Sequence, residues 1–242
     1  MRCRACGTGT EFVFVKDGAR CGVCPACGSL SRPAPPDLDD HYSDYLPPAT
    51  LSLPPATRRR YGEMLDGLEP FRAGSARLLD VGAGAGLFLE VARERGWEVE
   101  GTELSAAAAR AAAERGIRIH VGDIDRLPLT PGSFDAVVSL ECVEHVPDPP
   151  AFLATLAGLL RPGGGLFLTT PNYGALSRRL LGREWQPIAG DHLCLFTPRS
   201  LAACVTRAGF RVRDVRTRTI LPNEILKRFR RTVTRRQGFR AG

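Results

Sequence analysis

Between Arg77 and Leu89 the chain passes from a short apolar run, Arg77-Leu78-Leu79-Asp80-Val81, into Gly82-Ala83-Gly84-Ala85-Gly86 and then into Leu87-Phe88-Leu89. The apolar run reads as a buried strand. Leu87, Phe88, Leu89, Val91 and Ala92 fall at helical spacing, so the segment is a strand, a tight turn and a helix. Glycine at alternate positions of the turn lets peptide N–H groups at a helix N-terminus meet a ligand with no Cβ in between. A dinucleotide fingerprint, Gly-x-Gly-x-x-Gly, would place its third glycine at position 87, where Leu87 stands. Asp80, two residues ahead of the first glycine, suits a ligand that presents a cationic amine better than one that presents a pyrophosphate.

The same alternation continues downstream and predicts a doubly wound, mostly parallel α/β sheet. Trp97 to Gly101 reads as a second strand running on to Glu103, and Ser105 caps an alanine-rich helix that extends to Arg115. Ile117 to Val121 is a third strand, followed by Gly122-Asp123-Ile124. Ser133 to Leu140 is a fourth, followed by Glu141-Cys142-Val143-Glu144-His145. After a helix from Pro150 to Leu160, Arg161-Pro162-Gly163-Gly164-Gly165 turns into a fifth strand, Leu166 to Thr170. Ligand sites in open sheets gather where strands end at their carboxyl side. Asp80, Glu103, Asp123 and Glu141 all fall at such ends. Pro198 to Ala208 reads as a helix, and Phe210 to Thr219 alternates as a further strand.

Upstream, five of the eight cysteines lie within residues 3–27, as Cys3-x-x-Cys6-Gly7 and Cys21-x-x-Cys24-x-x-Cys27-Gly28. Two Cys-x-x-Cys-Gly turns around a short strand pair at Glu11 to Val15 read as a zinc ribbon with a closed four-thiolate structural site. Cys3, Cys6, Cys24 and Cys27 are the preferred ligands, because both pairs are followed by glycine. The rival pair Cys21/Cys24 is followed by Pro25, which has no N–H to offer a sulfur. Cysteine used in this way, no apolar stretch of membrane-spanning length and no signal-like N-terminus together predict a cytoplasmic protein. Residues 1–31 are the expected ribbon, 32–56 a proline-rich linker in which Asp39 to Tyr45 could form a helical turn, and 57–220 the main domain. Arg58 to Leu68 is its leading helix.

The net charge of +7 resides mostly in the expected tail, 221–242, where seven basic residues face Glu224 alone. Asn223 to Arg236 reads as a basic amphipathic helix or a solvated end. Peripheral contact with the inner membrane surface is a second possibility for it, and contact with nucleic acid a third.

The Asp-Val-Gly-x-Gly-x-Gly run, Glu103, Asp123 and the Leu-Arg-Pro-Gly-Gly-Gly turn together resemble the class I S-adenosylmethionine-dependent methyltransferases, over roughly residues 60–218. The resemblance implies a Rossmann-like fold with S-adenosylmethionine as cofactor. Gly82, Gly84 and Gly86 would lie beside its methionine portion, Asp80 near its amino group and Glu103 on the ribose hydroxyls. Asp123 and Ile124 would border the adenine, with Leu104 and Glu141 completing the cofactor set. The sheet of this family usually closes with an antiparallel hairpin, of which the sequence offers only Phe210 to Thr219.

On the acceptor side, the Thr170-Pro171-Asn172-Tyr173 to Thr197 segment is similar to small-molecule and glycan-modifying members that carry an N-terminal ribbon. Glu141-x-x-Glu144-His145 with a later His192 resembles quinone-biosynthesis O-methyltransferases and small-RNA 3′-end methyltransferases, where it implies a divalent metal beside the acceptor hydroxyl. A helical turn starting at Glu141 would put positions 141, 144 and 145 on one face. The cluster could hold a second divalent cation. Equally, His145 or His192 could be a plain general base, or His145 could simply close the pocket with Glu144 solvated. The expected reaction is O-methylation of a small-molecule, glycan or quinone-like acceptor. Sugar C-methylation and RNA methylation, the latter gripping phosphates through ribbon and tail, are the alternatives. The Asn/Asp-Pro-Pro-aromatic loop of many base-amine methyltransferases is missing after the fourth strand, where Leu140-Glu141-Cys142-Val143 stands, so nucleic acid is the less favoured partner.

Overall fold

The computed structural model describes residues 1–34, 52–74 and 76–218. The expected helical turn at Asp39 to Tyr45 and the basic tail lie outside these residues.

Five parallel strands form the main sheet: β4 (Arg77–Val81), β5 (Glu98–Glu103), β6 (Arg118–Val121), β7 (Phe134–Leu140) and β8 (Leu160–Thr169), in the order β6-β5-β4-β7-β8. The order reverses direction at β4, so the crevice beyond its carboxyl end is where a ligand fits between diverging loops. Along β4 side chains alternate between two cores. Leu78 enters one with α1 (Pro55–Leu68), α2 (Leu87–Glu94) and α3 (Ala106–Ala113). Leu79 and Val81 enter the other with α4 (Pro149–Leu159) and α6 (Pro198–Arg207). Helices on both faces of a parallel sheet are the Rossmann-like arrangement expected from the alternation of elements.

Two local expectations change. The Arg161–Gly165 turn is absorbed into β8 as a bulge: the ladder with β7 jumps from Phe134↔Leu160 to Ala136↔Gly165. Arg161, inside that bulge, donates from Nε to the buried Asp135 carboxylate, which also accepts the Arg77 N–H at 2.9 Å. The strand expected at Phe210 to Thr219 is absent through residue 218, where the chain forms no ladder. Its two valines, Val212 and Val215, fall on opposite faces among arginines, and residues 211–218 are all exposed, so neither face has a core to enter. Arg213 stacks over Phe71 and Arg218 pairs with Glu63 instead.

The cysteine ribbon is more than a strand pair. β1 (Glu11–Lys16), β2 (Ala19–Val23) and β3 (Leu30–Ser31) form an antiparallel sheet whose fourth strand, β9 (Cys194–Leu195), comes from the far end of the main domain. β3 and β9 pair as Leu30↔Leu195 and Ser31↔Cys194. Cys3, Ala5 and Cys24 pack into the same core as Val81, Phe196 and Cys204. Cys21, Leu30, Trp185, Ile188 and Leu195 form a third core with the short helix α5 (Leu176–Leu181). Thr197 donates from Oγ1 to the carbonyl of Cys27 at 3.2 Å, and Ser29 and Ser200 join through their hydroxyls at 2.8 Å.

Candidate active site

The glycine turn between β4 and α2 is built as the sequence predicts. Gly82, Gly84 and Gly86 all have positive φ. A Cβ at Gly86 would stand 3.1 Å from that of Ala112, whereas one at Gly84 would meet nothing within 4 Å. Gly86 therefore serves packing, and Gly84 borders the open crevice. The turn is held to the neighbouring strand by Gly82 and Ala83 N–H groups donating to the carbonyl of Thr102, both at 3.0 Å.

Glu103, at the end of β5, accepts from the Gly84 N–H at 2.8 Å on one oxygen. Its other oxygen accepts from Leu104 and Ser105 N–H groups at 2.8 and 3.0 Å. Leu104 contributes its backbone here while its side chain is exposed. Three amide donors fix a carboxylate at the crevice lip. Asp80 is 2% exposed, and its Oδ1 has no hydrogen-bond partner. Burial, and then the charge of Glu103, push its carboxyl up to about 7. An orphaned buried carboxyl beneath a glycine turn is a fit for a cationic amino group. Asp123 caps a turn at Ile124–Arg126 by accepting from the Asp125 N–H at 3.2 Å, and Ile124 packs against the core beneath.

Beyond β7 the chain does not make the helical turn expected at Glu141. Glu141 is exposed with φ +52°, and its N–H donates to both the carbonyl and the hydroxyl of Thr169 at 3.0 and 3.2 Å. A left-handed glutamate is strained, and such strain is commonest at functional sites. The conformation separates it from the other acids. Glu144, His145 and His192 offer ligand atoms all within 4.8 Å of one another, and Glu141 stands outside that group. Glu144 is fully buried rather than solvated. One of its oxygens accepts from the Thr170 hydroxyl at 2.8 Å and the other has no partner. Burial, and then Glu141, push its carboxyl up to about 8. The His145 and His192 rings meet edge to face with centroids 4.5 Å apart. Nδ1 of His145 faces the Asp191 carbonyl at 3.3 Å and its carboxylate at 3.5 Å, and Nδ1 of His192 faces the Pro187 carbonyl at 2.7 Å.

Thr170 and Asp191 are the two members that the sequence reading missed. Each adjoins a motif already singled out, Thr170 at the end of the fifth strand and Asp191 next to His192. Cys142 lies between the two halves of the site, its sulfur placed 3.4 Å from where a Cβ on Gly82 would be.

The Cys3, Cys6, Cys24 and Cys27 sulfurs all lie within 4.8 Å of one another, with Cys3–Cys27, Cys6–Cys24 and Cys6–Cys27 at 3.5–3.6 Å. Tetrahedral zinc with Zn–S of about 2.3 Å separates its sulfurs by about 3.7 Å, so the set fits. Cys21 is buried in the third core, away from this quartet.

With this geometry in view, residues 56–215 match the methyltransferase domain family. The chain belongs to the class I S-adenosylmethionine-dependent methyltransferases. It is 37% identical over 154 residues to a ubiquinone biosynthesis O-methyltransferase of Xanthomonas euvesicatoria, a match covering 58% of this chain and 64% of that relative's length. Among solved structures, it resembles phosphoethanolamine N-methyltransferase 2 of Haemonchus contortus in complex with S-adenosyl-L-methionine. That match has 25% identity and a TM-score of 0.55, over 73% of this chain and 42% of the other. An S-adenosylmethionine-dependent methyltransferase of Mesorhizobium loti shares the fold at 24% identity and a TM-score of 0.55, over 70% of this methyltransferase and 89% of the other.

Proposed function

We propose that this methyltransferase transfers a methyl group to a hydroxyl oxygen of a small-molecule or glycan acceptor, with a quinone-like phenol the favoured class. The observation that carries this is the Glu144–His145–His192 cluster, which holds a buried carboxylate oxygen with no partner and follows directly on Cys142, the residue packed against Gly82 of the glycine turn. The ubiquinone biosynthesis O-methyltransferases to which the chain is similar are named for the same chemistry. S-adenosylmethionine, when bound, supplies a methyl carbon already activated by its sulfonium, so the chain's own tasks are placement and proton removal.

Glu103, held by Gly84, Leu104 and Ser105, would accept from the cofactor's ribose hydroxyls, and Asp80, buried below the turn with an unpartnered oxygen, would receive its amino group. Asp123 and Ile124 would border its adenine. At the acceptor, Glu144, His145 and His192 would hold a divalent cation, whose charge would lower the pKa of a bound hydroxyl. A second reading is favoured by Asp191: an imidazole whose Nδ1 faces a carboxylate presents Nε2 as a general base. At the ribbon, Cys3, Cys6, Cys24 and Cys27 would hold structural zinc.

The test is methyl transfer to a catechol probe, 3,4-dihydroxybenzoate, before and after divalent ions are removed, with ribbon zinc followed separately. Loss of turnover that added Mg²⁺ or Mn²⁺ restores, and that Glu144→Gln mimics, supports the metal reading. Turnover unchanged by the chelator but abolished by His145→Gln selects the general base. Transfer to neither this probe nor hexose hydroxyls overturns the O-methylation reading.

A further inference from the structure

The ribbon reaches the acceptor side of the site through two arginines, and each addresses a different histidine loop. Arg4 stands between Cys3 and Cys6. Its Nη1 donates to the carbonyl of Pro147, just past His145, and its Nε donates to the carbonyl of Arg32 at 3.1 Å. Arg32 is 4% exposed. Its backbone N–H donates to the Leu193 carbonyl at 3.0 Å and its Nη1 to the Ala189 carbonyl at 2.6 Å, so it spans the turn that carries Asp191 and His192. The Nε of Arg32 is buried with no hydrogen-bond partner. Burying a guanidinium in this way is costly, and among the described residues carbonyls of the histidine loop, not an acid, receive it. The two loops also meet at the Glu144 carbonyl, which accepts from the Leu193 and Cys194 N–H groups at 2.7 and 3.1 Å.

We propose that Arg4 and Arg32 are positioning residues that, as a linked pair, fix the spacing of the His145 and His192 loops and make the cysteine ribbon a working wall of the acceptor site. The inference rests on reading Glu144, His145 and His192 as the acceptor-side cluster. The hydrogen bonds of both arginines go to the ribbon and the histidine loops, not to Asp80 or Glu103, so cofactor affinity is expected to change little when they are replaced. A loop displaced by about 1 Å is enough to cost on the order of a hundredfold in rate.

The experiment uses the full chain and its Arg4→Met, Arg32→Met, Arg32→Lys and doubly Met-substituted variants. Imidazole ¹H–¹⁵N spectra are assigned with single His→Gln variants, S-adenosylhomocysteine affinity is measured by calorimetry, and kcat and KM are taken with the catechol probe. Each Met variant is expected to shift the His145 and His192 ring signals and leave His120, which is held by Glu100 at 2.8 Å, in place. The dissociation constant of S-adenosylhomocysteine stays within about twofold while kcat falls about tenfold or more. Arg32→Lys recovers part of kcat, and the double variant loses little beyond the worse single one, because linked contacts are not additive. Unmoved ring signals in folded variants, or cofactor affinity lost in step with kcat, overturn the proposal. Should Arg32→Met fail to fold, the less buried Arg4→Met carries the test. Shifted rings in a protein that methylates no hydroxyl probe would keep the positioning role and remove the O-methylation reading. Turnover with unmoved rings does the reverse.

Discussion

Asp80 illustrates how one side chain couples stability to ligand binding. In an unfolded chain its carboxyl titrates near 3.8, whereas burial and the charge of Glu103 raise it to about 7 in the folded state. Between those values the folded protein holds a proton that the unfolded chain has lost. Asp80's contribution to stability is therefore complete below pH 4 and declines as pH rises toward 7. Each unit of separation is worth about 1.4 kcal/mol. Thermal unfolding of the cofactor-free protein across that range should show the decline, and Asp80→Asn should make it shallower, leaving the part that the raised Glu144 carboxyl contributes. A cationic amine recruits the carboxylate form, so cofactor binding below pH 7 should release a proton. Calorimetry in buffers of differing ionisation heat would detect the release, and Asp80→Asn should abolish it.

At the scale of elements, the β4 turn separates two kinds of glycine. A Cβ on Gly101 of β5 would fall 2.7 Å from Ile119, 2.8 Å from Ala83 and 2.9 Å from Leu89. Gly101→Ala is thus expected to cost about 1–3 kcal/mol of stability through overpacking, measured by denaturant titration. Gly84→Ala meets no neighbour, but its φ of +53° and its place on the crevice should weaken cofactor affinity more than stability. The parallel strands and this turn were legible because their periodicities are local: each strand and its helix lie within a few tens of residues. β9 was not, since two residues carry no period and their partner strand stands near the other end of the chain. The acceptor cluster was half legible for a similar reason. Glu144, His145 and His192 announce themselves by residue type, whereas the left-handed backbone that takes Glu141 away from them arises from its contact with Thr169. A ladder at Phe210 to Thr219 was expected from alternation alone, and with Val212 and Val215 three residues apart that segment has no continuous apolar face.

For the whole molecule, the ribbon and the sheet share a core, with Cys3 and Cys24 packed beside Val81 and Phe196. Their unfolding should therefore be one transition, not two. Cys24→Ser, or zinc withdrawal with a chelator, is expected to lower the melting temperature of the whole chain by several degrees or more in a single calorimetric peak. A second peak that stays at the original temperature would show the ribbon to be a separate unit. The borrowed strand β9 also sets an order of events during synthesis. The ribbon cysteines leave the ribosome well before β9, yet the outer side of β3 stays unpaired until Leu195 has been translated. A nascent chain must carry that bare edge while residues 32–193 are made, and fragments cut short of Cys194 would be left with a template for pairing with one another.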